Sequence, residues 1–172
     1  MPGTHISPAM RAAVGMELVR QVSYPVSESD IRRWAIAVYW PEPPPEQFLD
    51  EKAAAAHGGI VAPEEFNPFA WAVAERAVAH PGPPGPANDP DGLERLAGIS
   101  GPGLEFQLNG GLETEYGAPI RPGDVITGVR RLGAYSEREG RLGLMLFSRT
   151  GETWANQRGE FVKHVVSTII RY

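Results

Sequence analysis

An acidic cluster and a histidine, side chains able to move a proton, lie between Tyr39 and His57, in YWPEPPPEQFLDEKAAAAH. Glu42, Glu46, Asp50 and Glu51 make an acidic cluster there. A carboxylate can activate water only if it is held near its target, and an acidic run of this kind is more often a solvated loop face. Glu46, or Glu42 beside it, is the candidate base that the cluster leaves. His57 follows an alanine-rich stretch and precedes Gly58-Gly59, so it reads as a helix-end residue near the last carbonyls, with a proton-transfer role as its alternative. His5 lies near the N-terminus, and His80 and His164 are far in sequence from any paired acid. Trp40, Phe48, Phe66 and Phe69 flank the same region and could line a pocket for an apolar ligand. The chain has no cysteine, which excludes disulfides, thiolate metal sites and a cysteine nucleophile, and fits a reducing cytoplasm. No cluster suggests a metal, and nothing marks a nucleophile elbow. Glu64-Glu65 reads as a pair of acids approaching a helix, with a place facing a ligand as the alternative. GGLETEYG is no phosphate loop, because no helix start follows it.

The elements that must position these groups follow from periodicity. A length of 172 residues suits one domain with one core. The net charge of −5, with no basic cluster, argues against nucleic acid as a partner. No apolar run reaches the roughly 20 residues of a membrane span, and no signal peptide is visible. Residues 1–13 read as a loose, flexible arm, and 14–172 as the single domain. A first strand is expected over 16–26, with Leu18, Val22, Tyr24 and Val26 on one side. Ser27-Glu28-Ser29-Asp30 is a capping-box pattern that opens a helix to about Tyr39, burying Ile31, Trp34, Ala35 and Val38 and leaving Arg32 and Arg33 to water. Four prolines between Pro41 and Pro45 end it. Asp50 caps a short helix through His57, closed by Gly58.

Asn67 and Pro68 then suit the start of a helix over Pro68–Ala79, apolar nearly all round. Twelve residues span about 18 Å. Such a helix is expected to be the buried centre of the fold, so that Trp71→Ala would cost about 3–5 kcal/mol. A Pro/Gly-rich loop over 81–92 follows, with one helical turn over 91–96. From Gly103 the period changes to two: Leu104, Phe106 and Leu108, a bulge at Gly110-Gly111, then Leu112, Thr114 and Tyr116. Further strands are expected over 124–134, 141–155 and 160–172, the last reaching about 43 Å. Helices followed by long antiparallel strands make an α+β fold, a curved sheet wrapped around a central helix. The apolar stretch Val165–Ile170 would lie at an open sheet edge, which needs a cover, so a dimer or heteromer is expected.

Four strings carry a family resemblance over about 150 residues. They are AIAVYW, FLDEKAAAAHGGIVAPEEF, GGLETEYGAPIRPGDVITG and GETWANQRGEFVKHVVSTIIRY. Their order and spacing resemble the hot-dog fold of MaoC-like enoyl-CoA hydratases and dehydratases, most closely the N-terminal, degenerate domain type. The resemblance implies the sheet-around-helix architecture, with the central helix at Pro68–Ala79. Active members carry D-x-N-P-x-H-x-D, whose Asp and His form a general acid/base pair. With Asp50 on the final acid, Phe48 stands where the His belongs, and Pro43, Pro45 and Glu46 replace the earlier residues. Losing a positioned acid/base costs about 10²–10⁴-fold. The resemblance therefore implies a hydro-lyase subunit with no catalytic residue of its own, Glu46 and His57 being the only weak candidates. Trp40, Phe48, Phe66 and Phe69 would line an acyl tunnel with room for a bulky or steroid-like group. The partner would be a second hot-dog chain carrying the Asp and His. No metal or organic cofactor is implied; CoA or an acyl carrier would arrive with the substrate. A thioesterase using Glu46 or Glu65, and a noncatalytic acyl-CoA-binding module, are the alternatives, since one fold hosts several chemistries.

Overall fold

The computed structural model describes residues 3–82, 85, 86 and 88–172; part of the loop expected over 81–92 lies outside them. Ser7 opens the first helix, α1 (Pro8–Ala12), and its hydroxyl accepts from the Met10 amide. The segment expected to be a loose arm is anchored instead, because Ile6 and Met10 are buried against Leu146. Strand β1 (Glu17–Val22) buries Leu18 and Val19, whereas Tyr24, expected inward, lies beyond the strand and is exposed. Helix α2 (Glu28–Tyr39) starts at the anticipated cap: Ser27 Oγ accepts from the Asp30 amide at 3.1 Å and donates to the Asp30 carboxylate at 2.8 Å. Ile31 and Ala35 are its buried residues, and Val38, expected on the same face, is exposed. Arg32 does not face water alone, since its Nε donates to the Leu49 carbonyl at 3.0 Å.

A 3₁₀ turn at Glu46–Phe48 leads to α3 (Glu51–Ala54) and a second 3₁₀ turn to His57. Asp50 caps α3, accepting from the Lys52 and Ala53 amides. Gly58 closes the segment at φ 72°, a left-handed conformation that glycine adopts without penalty. Arg121 donates to the freed carbonyls of His57 and Gly58 at 2.9 and 3.0 Å, which satisfies that helix end.

The central helix is not formed. Pro68 and Phe69 make a turn, with Asn67 Oδ1 accepting from the Phe69 amide, and the chain then extends into β2 (Glu75–Val78). β2 pairs antiparallel with β1, and the Ala74 and Ala79 amides donate to the carbonyls of Val22 and Leu18. Trp71 is 58% exposed, so it is not a core residue. The sheet edge supplies hydrogen bonds along this stretch that outweigh the few tenths of a kcal/mol per residue by which alanine favours a helix.

After α4 (Gly92–Leu96), four long strands follow: β3 (Gln107–Tyr116), β4 (Ile126–Gly140), β5 (Gly143–Asn156) and β6 (Phe161–Arg171). The sheet is open, with order β2-β1-β4-β5-β6-β3, and all its pairs are antiparallel. The bulge foreseen at Gly110-Gly111 is present, shifting the β3–β6 register between Asn109 and Gly111. β6 is an interior strand, so Val165–Ile170 is not an edge; the edges are β2 and β3. β3 exposes Leu108 and Leu112 to more than half of their surface.

Candidate functional site: the inner face of the sheet

The strand register defines one face of the sheet on which the other elements pack. Trp154, Glu152, Thr150, Ser148 and Leu146 alternate along it from β5. Lys163, Val165, Ser167, Ile169 and Arg171 oppose them from β6. β3 continues the face with Tyr116, Thr114, Leu112, Asn109 and Gln107.

Apolar clusters close its two ends. At one end Ile126, Trp154 and Val162 pack with Ile31, Phe66 and Ile120. At the other, Leu132 packs with Leu18 and the α4 segment, and Leu146 with Met10 and Ile6. Between these ends the floor is open. Thr150, Glu152, Val165 and Ser167 are half-buried, and Leu112 and Thr114 are exposed. Helices α1 and α4 meet β5 and β6 at that second end, through Met10 on Leu146 and Glu94 on Arg171. A cleft of about 580 Å³ borders this floor beside β3, between Phe106, Gln107, Leu108, Asn109, Ser167 and Ile169. That volume falls in the range of small-molecule sites, and the lining mixes apolar surface with amides, a hydroxyl and the exposed carboxylate of Glu105.

The one acid among the inward residues of β5 is occupied. Both oxygens of Glu152 are engaged, one by the Trp154 indole N–H at 2.8 Å and the other by Arg130 at 2.9 and 3.0 Å. His164 belongs to the opposite face, where its Nδ1 meets Thr153 Oγ1 at 2.9 Å. His5 is bonded to the Leu144 carbonyl. Among the described residues no histidine ring is bonded to a carboxylate, and no group of acids and histidines could hold a metal.

The side chains singled out from the sequence do not form one site. Phe66 is buried edge-on to Trp34, and Phe69 edge-on to Trp154 at 5.3 Å, so these two share the first apolar cluster. Phe48 is buried elsewhere, against Tyr39 at the end of α2. Trp40 is 78% exposed. Glu46 and His57 are exposed on the short turns around α3. Glu65, the other acid considered, accepts the Tyr116 hydroxyl. That hydrogen bond holds its carboxyl below the usual range, against the opposing effect of burial, and pushes the Tyr116 hydroxyl up to about 12.

Two polar groupings on the inner face escaped the sequence reading. Arg171 and Glu94 are both fully buried and paired at 2.7 and 2.8 Å. Ser148 accepts from Arg171 at 2.5 Å, and Tyr135 donates to Glu94 at 2.6 Å. Burial alone would raise the Glu94 pKa, but the Arg171 and Tyr135 hydrogen bonds outweigh it and hold the carboxyl low. Burial first, then the bond to Glu94, pushes the Tyr135 hydroxyl well up. The second grouping is Lys163 with Tyr116, Trp154 and Glu65. The signal for both was period two: Lys163 and Arg171 are charged positions in register with the inward residues of the last strand. Their partners were not legible, because they come from other strands, α4 and the Glu64-Glu65 turn, brought together only by the fold.

No curated protein sequence matches the chain. Among solved structures, it resembles a MaoC-like dehydratase from Rhodospirillum rubrum, at 23% identity over 93% of this chain and 92% of that one, with a TM-score of 0.56. The ChsH1–ChsH2 complex from Mycobacterium tuberculosis is 22% identical over 89% and 82%, with a TM-score of 0.63. The HadBC (3R)-hydroxyacyl-ACP dehydratase complex of the same organism is 18% identical over 92% and 96%, with a TM-score of 0.55. These likenesses establish the fold, an open antiparallel hot-dog sheet with accessory helices. No helix among the described residues is long and apolar enough to cross a membrane. The model of the FAS1-like dehydratase domain region matches residues 12–165, nearly the whole chain, and the protein belongs to that family.

Proposed function

We propose that this chain is the noncatalytic hot-dog subunit of an enoyl-CoA hydratase or 3-hydroxyacyl-thioester dehydratase. Its inner sheet face would form one wall of the acyl tunnel, and a second hot-dog chain would bring the Asp and His. The observation that carries the reading is the open floor between the two apolar ends, where the acid supplied by β5, Glu152, has both oxygens occupied. Val165, Ile169 and Leu112 offer apolar surface to an acyl group, while Thr150, Thr114 and Ser167 offer neutral hydroxyls. The extended path of residues 70–79 leaves that floor without the helix expected over it, which suits a bulky acyl group. The long exposed edge of β3 suits a second sheet in continuous pairing, since unpaired edges are normally covered. Two structural relatives, ChsH1–ChsH2 and HadBC, are complexes.

In this reading the chain binds and excludes water, and proton transfer belongs to its partner. The purified chain is to be assayed with medium-chain and bulky enoyl-CoA thioesters, following enone absorbance and free thiol. No turnover alone, with hydration restored by a neighbouring hot-dog protein carrying D-x-N-P-x-H, is the expected result. Hydration by the chain alone would refute the noncatalytic assignment and direct attention to Glu46 and His57. Thiol release would identify a thioesterase. Binding of acyl-CoA with no turnover in any combination would identify a binding module.

A further inference from the structure

The two lysines of the chain differ sharply in environment. Lys52 is exposed, whereas the side chain of Lys163 is only 9% exposed. Its ammonium lies over the rings of Tyr116 and Trp154, 4.9 and 5.2 Å from their centroids. An ammonium has three N–H donors. Its polar partners here are distant: the Glu64 carbonyl at 3.4 Å and the Glu65 carboxylate at 3.5 Å, both beyond ordinary hydrogen-bond length. A buried cation with such long contacts is poorly compensated for the water it has lost. Glu65 is itself two-thirds exposed and tied to the Tyr116 hydroxyl, so it can leave without unpacking the core.

Lys163 also lines a cleft of about 90 Å³ between Pro63-Glu64 and the Gly117–Ile120 segment. The Gly117 and Ala118 amides bordering that cleft are already bonded to the carbonyls of Val162 and Phe161, which leaves the Lys163 ammonium, joined by the Tyr116 hydroxyl once Glu65 releases it. On β6, Lys163 stands at one end of the inner floor, six residues or about 20 Å from Ile169 beside the larger cleft.

We infer that Lys163, with the Tyr116 hydroxyl, forms an anion site that receives a phosphate or carboxylate group of a ligand lying along the inner face, Glu65 being the carboxylate it displaces. The inference stands apart from the acyl-thioester reading, because small anions suffice to test it and neither thioester nor partner is needed.

The experiment is NMR of the native chain labelled with ¹³C-lysine, titrated with inorganic phosphate and, separately, acetate at constant ionic strength. Lys163 is expected to shift saturably while Lys52 does not respond. Glu65→Gln should tighten binding several-fold by removing the competing charge. Lys163→Met, followed through the Trp154 indole, should weaken it at least about tenfold, the scale of a charged hydrogen bond. A tighter curve with phosphate assigns the site to a phosphorylated carrier, and a tighter curve with acetate to an acid-ended acyl group; either supports the site. A Lys163 signal unmoved by both anions, equal shifts at both lysines, or weaker binding in Glu65→Gln would overturn the inference. The wild-type titration and the Glu65→Gln variant decide the matter even if Lys163→Met fails to fold.

Discussion

Arg171→Met should be among the more damaging single substitutions in this protein, and most of the damage should be reversible by a second change. Arg171 and Glu94 are each fully buried, and the guanidinium bridges Glu94, Ser148 Oγ and the Pro90 carbonyl. Removing the arginine leaves a buried carboxylate whose remaining side-chain donor is Tyr135. Breaking a buried pair in this way costs about 3–5 kcal/mol, against a total stability of about 5–15 kcal/mol for a domain. The double variant Arg171→Met/Glu94→Leu replaces both charges by apolar groups of similar size and should recover to within about 1–2 kcal/mol of wild type. Urea unfolding followed by tryptophan fluorescence measures all four corners of the cycle, and a large coupling energy is the expected result. The same pair predicts a pH dependence. The folded-state pKa of Glu94 is depressed, so its stabilisation is present above the unfolded-state carboxylate pKa and is lost as pH falls through the folded value. Glu94→Gln should flatten that acid limb. A loss under about 1 kcal/mol for Arg171→Met, or a double variant as unstable as the sum of the singles, would show that the pair does not hold α4 to the sheet.

Three further outcomes follow from packing and exposure. Phe66→Ala, at a residue 1% exposed, should cost about 3–5 kcal/mol, and Trp71→Ala well under 2 kcal/mol; denaturant midpoints rank them, and the reverse order would restore Trp71 to the core. Leu112→Lys puts a charge on the exposed β3 edge and should leave the fold intact while reducing self- or partner association in sedimentation; unchanged association would place the interface elsewhere. In the reconstituted complex, Val165→Phe narrows the inner floor and should raise KM for bulky enoyl thioesters far more than for crotonyl-CoA; equal effects on both would remove Val165 from the acyl path.

Local chemistry sufficed for much of the fold. The Ser27 and Asp50 caps, the left-handed Gly58 and the bulge at Gly110-Gly111 are decided by a residue and its near neighbours. The two-residue alternation after Gly103 likewise follows from the pleat of a strand. That the Pro41–Leu49 segment holds no histidine or aspartate is equally plain in the sequence, where Phe48 stands in place of the expected histidine. Residues 68–79 show where local preference ends. FAWAVAERAVA favours a helix taken alone, yet pairing Glu75–Val78 to β1 satisfies backbone groups that β1 would otherwise leave open. Only the assembled sheet contains that partner. The same holds for Arg171, whose counter-charge arrives from Glu94, 77 residues away, and for Lys163, whose aromatic and acidic neighbours come from three other segments. A buried charge needs a partner in space, and which residue supplies it is set by the packing of the sheet against its loops.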